Sequence, residues 1–117
     1  MSRLRSASVA VGLLGGALFG VACTSTETPA LSGDQADDPQ LVLGRQVFDD
    51  NCARCHGGSG GGGAGPKLSD GEVVAAFPGP ADQVAVVREG RDTMPSFGDR
   101  LSAEEIDAVV RFTREAL

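Results

Sequence analysis

Cys52-Ala53-Arg54-Cys55-His56 gathers three strong ligand side chains within five residues. Cysteines at i and i+3 share one face of a helical turn. Two thiols so placed can add across the two vinyl groups of haem. The adjacent imidazole then lies under the iron as an axial ligand, which is what a C-x-x-C-H pattern signifies. Three other readings compete. A redox dithiol needs a strand before it and a strand–helix pattern after it, and no strand-like alternation of useful length occurs. A structural zinc site needs four ligands, and only three are present. Two cysteines with no cofactor would leave a small core underfilled.

His56 is the only histidine of the chain, so two histidine ligands cannot come from one subunit. The other common soft ligand is methionine. Met1 belongs to the leader, which leaves Met94 as the sole methionine of the mature chain. It lies in a polar loop, Arg91 to Arg100, rather than on an apolar helix stripe, and Pro95 stiffens the backbone behind it. Met94 is therefore the expected second axial ligand, with a core gap-filler as the plain alternative.

The elements that must position these groups read as helices. Leu41, Val42, Val47 and Phe48 recur at near-helical spacing within Pro39 to Asn51, with Pro39 at the start and Asp37 or Asp38 as cap. A second helix is expected over Pro80 to Glu89, stopped by Gly90. A third begins at Ser102, where Ser102 and Glu105 form a capping box. Ile106, Val109, Val110 and Thr113 then give an amphipathic stripe. Glu72 to Phe77 is a short apolar piece compatible with a helical turn. Gly57 to Gly65 is a glycine-dense loop without the Gly-Lys-Ser/Thr ending of a phosphate-binding loop.

Arg3 and Arg5 precede an apolar run, Ala7 to Ala22, of secretory-signal layout. Its 16 residues fall short of the roughly 20 that span a bilayer. The expected organisation is a signal peptide over 1–22, a flexible polar tether over 23–38, and one folded domain over 39–117. The chain carries net charge −6, which becomes −8 without Arg3 and Arg5. That balance disfavours nucleic acid and anionic lipid surfaces and suits solubility or basic patches on partners. With no Trp, no Tyr and five Phe, so small a core is short of large side chains. A bulky apolar cofactor would fill it. Three cysteines are too few for a disulfide framework.

Two resemblances follow from these residues. Gly20-Val21-Ala22-Cys23 resembles a bacterial lipobox, with Gly20 where that family prefers Leu. It implies lipidation of Cys23. From Leu41 onward the chain resembles the class I c-type cytochromes, closer to the small bacterial forms than to the mitochondrial type. Gly44, Phe48, Val109 and Phe112 match that family's crossing of first and last helices, and Gly lets two backbones approach closely. Gly65-Pro66-Lys67-Leu68 is similar to its Gly-Pro-x-Leu segment. By that resemblance the Pro66 carbonyl accepts a hydrogen bond from His56, and Leu68 packs on haem. Val87, Gly90 and Met94-Pro95 fit its spacing before the methionine ligand.

The resemblance implies an all-α cytochrome c fold of three to four short helices wrapped around one haem c, attached through Cys52 and Cys55. It implies an electron carrier, not an enzyme, and the leader and Cys23 imply export to the periplasm or the outer face of a membrane, with a lipid anchor. Donor and acceptor proteins are its expected partners. The alternatives are a subunit of a larger oxidoreductase, or an open-site haem enzyme or gas-binding protein if Met94 is not a ligand.

Overall fold

A computed structural model describes residues 27–117. The leader over 1–22, Cys23 and the first tether residues lie outside the described residues. Among the described residues there are five α-helices and no strand: α1 (Pro39–Asn51), α2 (Ala53–His56), α3 (Glu72–Ala76), α4 (Pro80–Glu89) and α5 (Ala103–Glu115). The fold is all-α, as expected, with α2 and α3 each little more than one turn. None of these helices is long and apolar enough to cross a membrane.

The ends of the long helices follow from local chemistry. Asp38 accepts from the amides of Gln40 and Leu41, and Pro39 opens α1 without an N–H to satisfy. The capping box of α5 is complete. Glu105 donates its amide to Ser102 Oγ at 3.2 Å, and Ser102 donates its amide to Glu105 Oε2 at 2.8 Å. Pro80 opens α4, and Gly90 ends it.

α1 and α5 cross at Gly44. A Cβ there would run into the Ala108 carbonyl oxygen and come within 2.8 Å of Phe112 Cβ, so only glycine admits the approach. Around that point Val47 and Phe48 of α1 meet Val109 and Phe112 of α5. Phe48 and Phe112 are fully buried, with ring centroids 5.5 Å apart and planes tilted by 48°. Leu43, Cys52, Leu68, Val87 and Leu101 are half-buried and pack against this cluster. The apolar centre is thus continuous with the attachment motif.

Polar ties brace the rest. Gln83 of α4 donates to Thr113 Oγ1 at 2.8 Å inside the α4–α5 contact. Arg114 donates to the carbonyls of Phe77 and Pro78, fixing the turn before α4. Arg111 pairs with Asp38 at 2.7 Å, tying α5 to the cap of α1. Residues 28–38, expected to be tether, lie against the helices and include a 3-10 turn at Gly33–Gln35. Their composition is polar, but their bonds are to distant residues that no local pattern announces.

Two outcomes test this packing. Gly44→Val overpacks the crossing and is expected to cost about 1–3 kcal/mol, lowering the melting temperature of the holoprotein by about 4–8 °C per kcal/mol. Asp38→Asn keeps the cap but loses the charge pair. The donating Arg111 guanidinium chiefly holds the Asp38 carboxyl below its ordinary value, with the Leu41 and Gln40 amides adding to it against partial burial. The charged pair therefore stabilises fully above the unfolded value, and the benefit is lost as pH falls through the folded value. Melting curves across pH should show a gap between wild type and Asp38→Asn that is constant above about pH 5 and closes below about pH 4.

Candidate haem site

The attachment motif follows α1 almost without a break. Cys52 is the first residue past α1, and its carbonyl accepts from the amides of Cys55 and His56 at 3.1 and 3.0 Å. That single turn brings the two sulfurs to one side, as their spacing requires. Both are free thiols and half-buried. Burial chiefly, and the neighbouring Cys55 in addition, push the Cys52 thiol up to about 11.

His56 is buried at 8 % exposure. Its Nδ1 lies 2.9 Å from the Pro66 carbonyl oxygen. A carbonyl only accepts, so Nδ1 is the donor, and in the neutral imidazole Nε2 then keeps the lone pair. This is the arrangement a metal-binding imidazole needs, with orientation and tautomer set by its other nitrogen. Gly65 backs onto the same ring. A Cβ there would stand 2.8 Å from both Nδ1 and Cε1.

The glycine loop, whose path the sequence left open, folds back over the end of α2. Gly62 donates its amide to the His56 carbonyl and Gly65 donates to the Cys55 carbonyl, both at 2.7 Å. Gly57 turns the chain with φ 82°. One turn of helix leaves all its last carbonyls unpaired, and this loop supplies donors to those of Cys55 and His56. Leu68 and Ser69 then donate to the Gly60 carbonyl, which brings Leu68 back to the core. The capping role of the loop is the feature sequence reasoning missed. The density of glycine next to a one-turn helix was the available signal.

Met94 arrives by a separate route. Arg91 and Met94 exchange backbone hydrogen bonds at 3.1 and 2.9 Å, closing a tight turn with Asp92 at φ 54°. Phe97 and Gly98 donate to the carbonyls of Val87 and Arg88, which pins the loop to α4. The Arg91 guanidinium stands over the Phe77 ring at 5.3 Å. Met94 is half-buried in this clasped loop. The structure thus gathers Cys52, Cys55, His56, Pro66 and Leu68 through direct bonds and shared packing. It holds Met94 through α4 instead.

These residues fit a covalently held haem. Two free thiols lie on one turn, the imidazole has its outer nitrogen already engaged, and glycine lines the ring where a Cβ would intrude. The site and the helical fold together define a haem-attaching protein with a single attachment motif. The family profile described as "Cytochrome C oxidase, cbb3-type, subunit III" matches residues 39–112. The chain is 36% identical over 91 residues to cytochrome c6 of Synechococcus sp., covering 76% of each chain. It is 37% identical over 89 residues to the chloroplastic cytochrome c6 of Chlamydomonas reinhardtii, covering 73% of this chain and 58% of that one. It is 36% identical over 95 residues to the cbb3-type cytochrome c oxidase subunit CcoP of Rhodobacter capsulatus, covering 70% of this chain and 31% of that one. The chain belongs to the class I c-type cytochromes, as a monohaem member with haem c attached through Cys52 and Cys55.

The close approach at Gly65 yields a prediction with an internal control. Gly65→Ala should press on the imidazole, weaken its bond to Pro66 and raise the high-spin fraction in the absorption spectrum of the holoprotein. Gly61→Ala should leave the spectrum unchanged, because the nearest atom to a Cβ there, Ser59 Oγ, is 3.6 Å away.

Proposed function

We propose that this cytochrome carries single electrons between a donor and an acceptor protein outside the cytoplasm, with its iron held between His56 and Met94. The observation that carries the reading is the His56–Pro66 hydrogen bond, which presents Nε2 as a lone-pair donor beside the two attachment thiols. Haem bound there supplies a one-electron ferrous/ferric couple. His56 is the proximal ligand, and Pro66 orients it. Leu68, half-buried on the core cluster, offers an apolar surface to the haem. Met94, clasped by the Arg91 pairing, is the second ligand. A thioether ligand favours ferrous iron and raises the potential.

With His56 and Met94 both holding the iron no position on it would stay open, and substrate chemistry needs one. Electron transfer is therefore the reading, rather than catalysis. Its partners are redox proteins that dock weakly and transiently, and nucleic acid is not among them at this net charge. The leader over 1–22 directs export, and Cys23 carries a lipid that anchors the protein at the periplasmic or outer face of a membrane. A second reading, a cytochrome subunit of a larger oxidoreductase, is favoured by the description of the matching family profile and by the CcoP relative. A stoichiometric partner that survives purification would select it.

The test is the absorption spectrum of the oxidised and reduced holoprotein, beside that of Met94→Ala. The proposal expects a low-spin wild type with the ferric iron–sulfur charge-transfer band. The variant should lose that band and bind carbon monoxide and cyanide readily. A high-spin wild type that binds those ligands would put the open-site reading first.

A further inference from the structure

Residues 28–38 are the part of the described chain that the haem site does not use, and they are held at successive points. Thr28 is only 4 % exposed and donates its Oγ1 to Asp49 Oδ1 at 2.7 Å. Arg45 donates Nε to the Pro29 carbonyl at 2.7 Å and Nη2 to the Thr28 carbonyl at 2.9 Å. Leu31 packs on the cluster of Val47, Phe48, Val109 and Phe112. Gln35 donates to the Glu115 carbonyl at 3.0 Å. Thr28 thus lies beside the end of α1, while Asp38 caps its beginning. The segment runs back along α1 and reaches α5 on the way.

We propose that residues 28–38 are a docked strap, so that no more than the four residues 24–27 separate a lipid on Cys23 from the docked chain, which keeps the domain against the bilayer surface. The inference rests on the anchor reading above. Length decides its consequence. From Cys23 to Thr28 the chain can span about 18 Å at full extension, whereas from Cys23 to Pro39 it could span about 58 Å. A domain of this size has a radius of gyration of about 13 Å and a still larger outer radius. The short leash is less than one domain diameter, so it restricts rotation and keeps one side of the domain toward the lipid. The long one would let the domain swing freely. The strap commits the protein to partners in or on the same membrane and to one range of orientations toward them. The charge-assisted bonds of Arg45 and the burial of Thr28 and Leu31 are what hold that geometry.

The test supplies the lipid chemically, so it does not depend on whether the cell acylates Cys23. Mass measurement of the natively matured protein answers that separate question. In the holoprotein the thiols of Cys52 and Cys55 are spent in thioether bonds, which leaves Cys23 as the single thiol of the three. Holoprotein matured through a non-lipoprotein leader is coupled through Cys23 to a maleimide lipid in phosphatidylcholine vesicles bearing a fluorescent headgroup. Quenching by haem reports proximity. The parent should quench strongly. The triple variant Thr28→Ala, Leu31→Ser, Arg45→Ala, checked for an unchanged haem spectrum, should quench about twofold less, as should a variant with ten Gly/Ser residues inserted after Cys23. Equal quenching by parent and triple variant overturns the proposal. If the spacer responds, the strap is not docked. If the spacer does not respond, leash length does not set the distance. Should the triple variant fail to take up haem, hydrogen exchange on the parent decides the docking. Protected amides at Gln35 and Ala36, which donate to Ser32 and Gly33 carbonyls, support it, and random-coil exchange there overturns it.

Discussion

The contact on which this cytochrome depends is the backbone of Gly44 against the Ala108 carbonyl and Phe112. It brings α1 and α5 close enough for Phe48 and Phe112 to meet within the core. Each consequence for the site follows along the chain from there. α1 runs straight into Cys52, so the crossing sets where the attachment motif begins. α5 ends at a point where the Leu117 carbonyl accepts from the Asp70 amide and Leu117 lies against Gly60. The far end of the glycine loop is therefore held by the last helix, while its near end is held by the first.

Between those holds, α2 is a helix too short to persist alone. Its rigidity comes from the loop amides that take up the Cys55 and His56 carbonyls, and from the Pro66 carbonyl that takes up the His56 proton. The same segment thus does two things. It completes a helix terminus, and it sets the tautomer and direction of the imidazole. The Met94 loop is held by independent means, namely its own turn, the end of α4 and the Arg91–Phe77 contact. A protein with a small core can keep such segments in order in this way, because both the attachment turn and the Met94 loop are closed by backbone bonds and do not rely on side-chain packing alone.

Much of this was legible in the residue order, and the reasons are physical. α1 begins at the proline read as its start, α4 runs from Pro80 to the stop read at Gly90, and α5 begins behind the capping box read at Ser102. The Gly44 crossing and the Pro66–His56 bond were expected from the family resemblance, and the structure contains both. The path of the glycine loop was not legible, because glycine carries no side chain whose type could announce a partner. The strap over 28–38 was not legible either. Its holding residues, Asp49, Arg45 and Glu115, are 16 to 80 positions away, and its polar composition read locally as tether. The brace from Arg114 to Phe77 and Pro78 escaped notice for the same reason, since a surface arginine does not reveal that its partners are carbonyls.

Proton and nitrogen NMR of the reduced holoprotein tests the central claim most directly, because in one diamagnetic sample it observes both proposed axial ligands, His56 and Met94. A proton on His56 Nδ1 that exchanges slowly with water, no proton on Nε2, and a Met94 methyl signal far upfield in the haem ring current would match the account. A proton on Nε2, or a Met94 methyl at its ordinary position, would contradict it.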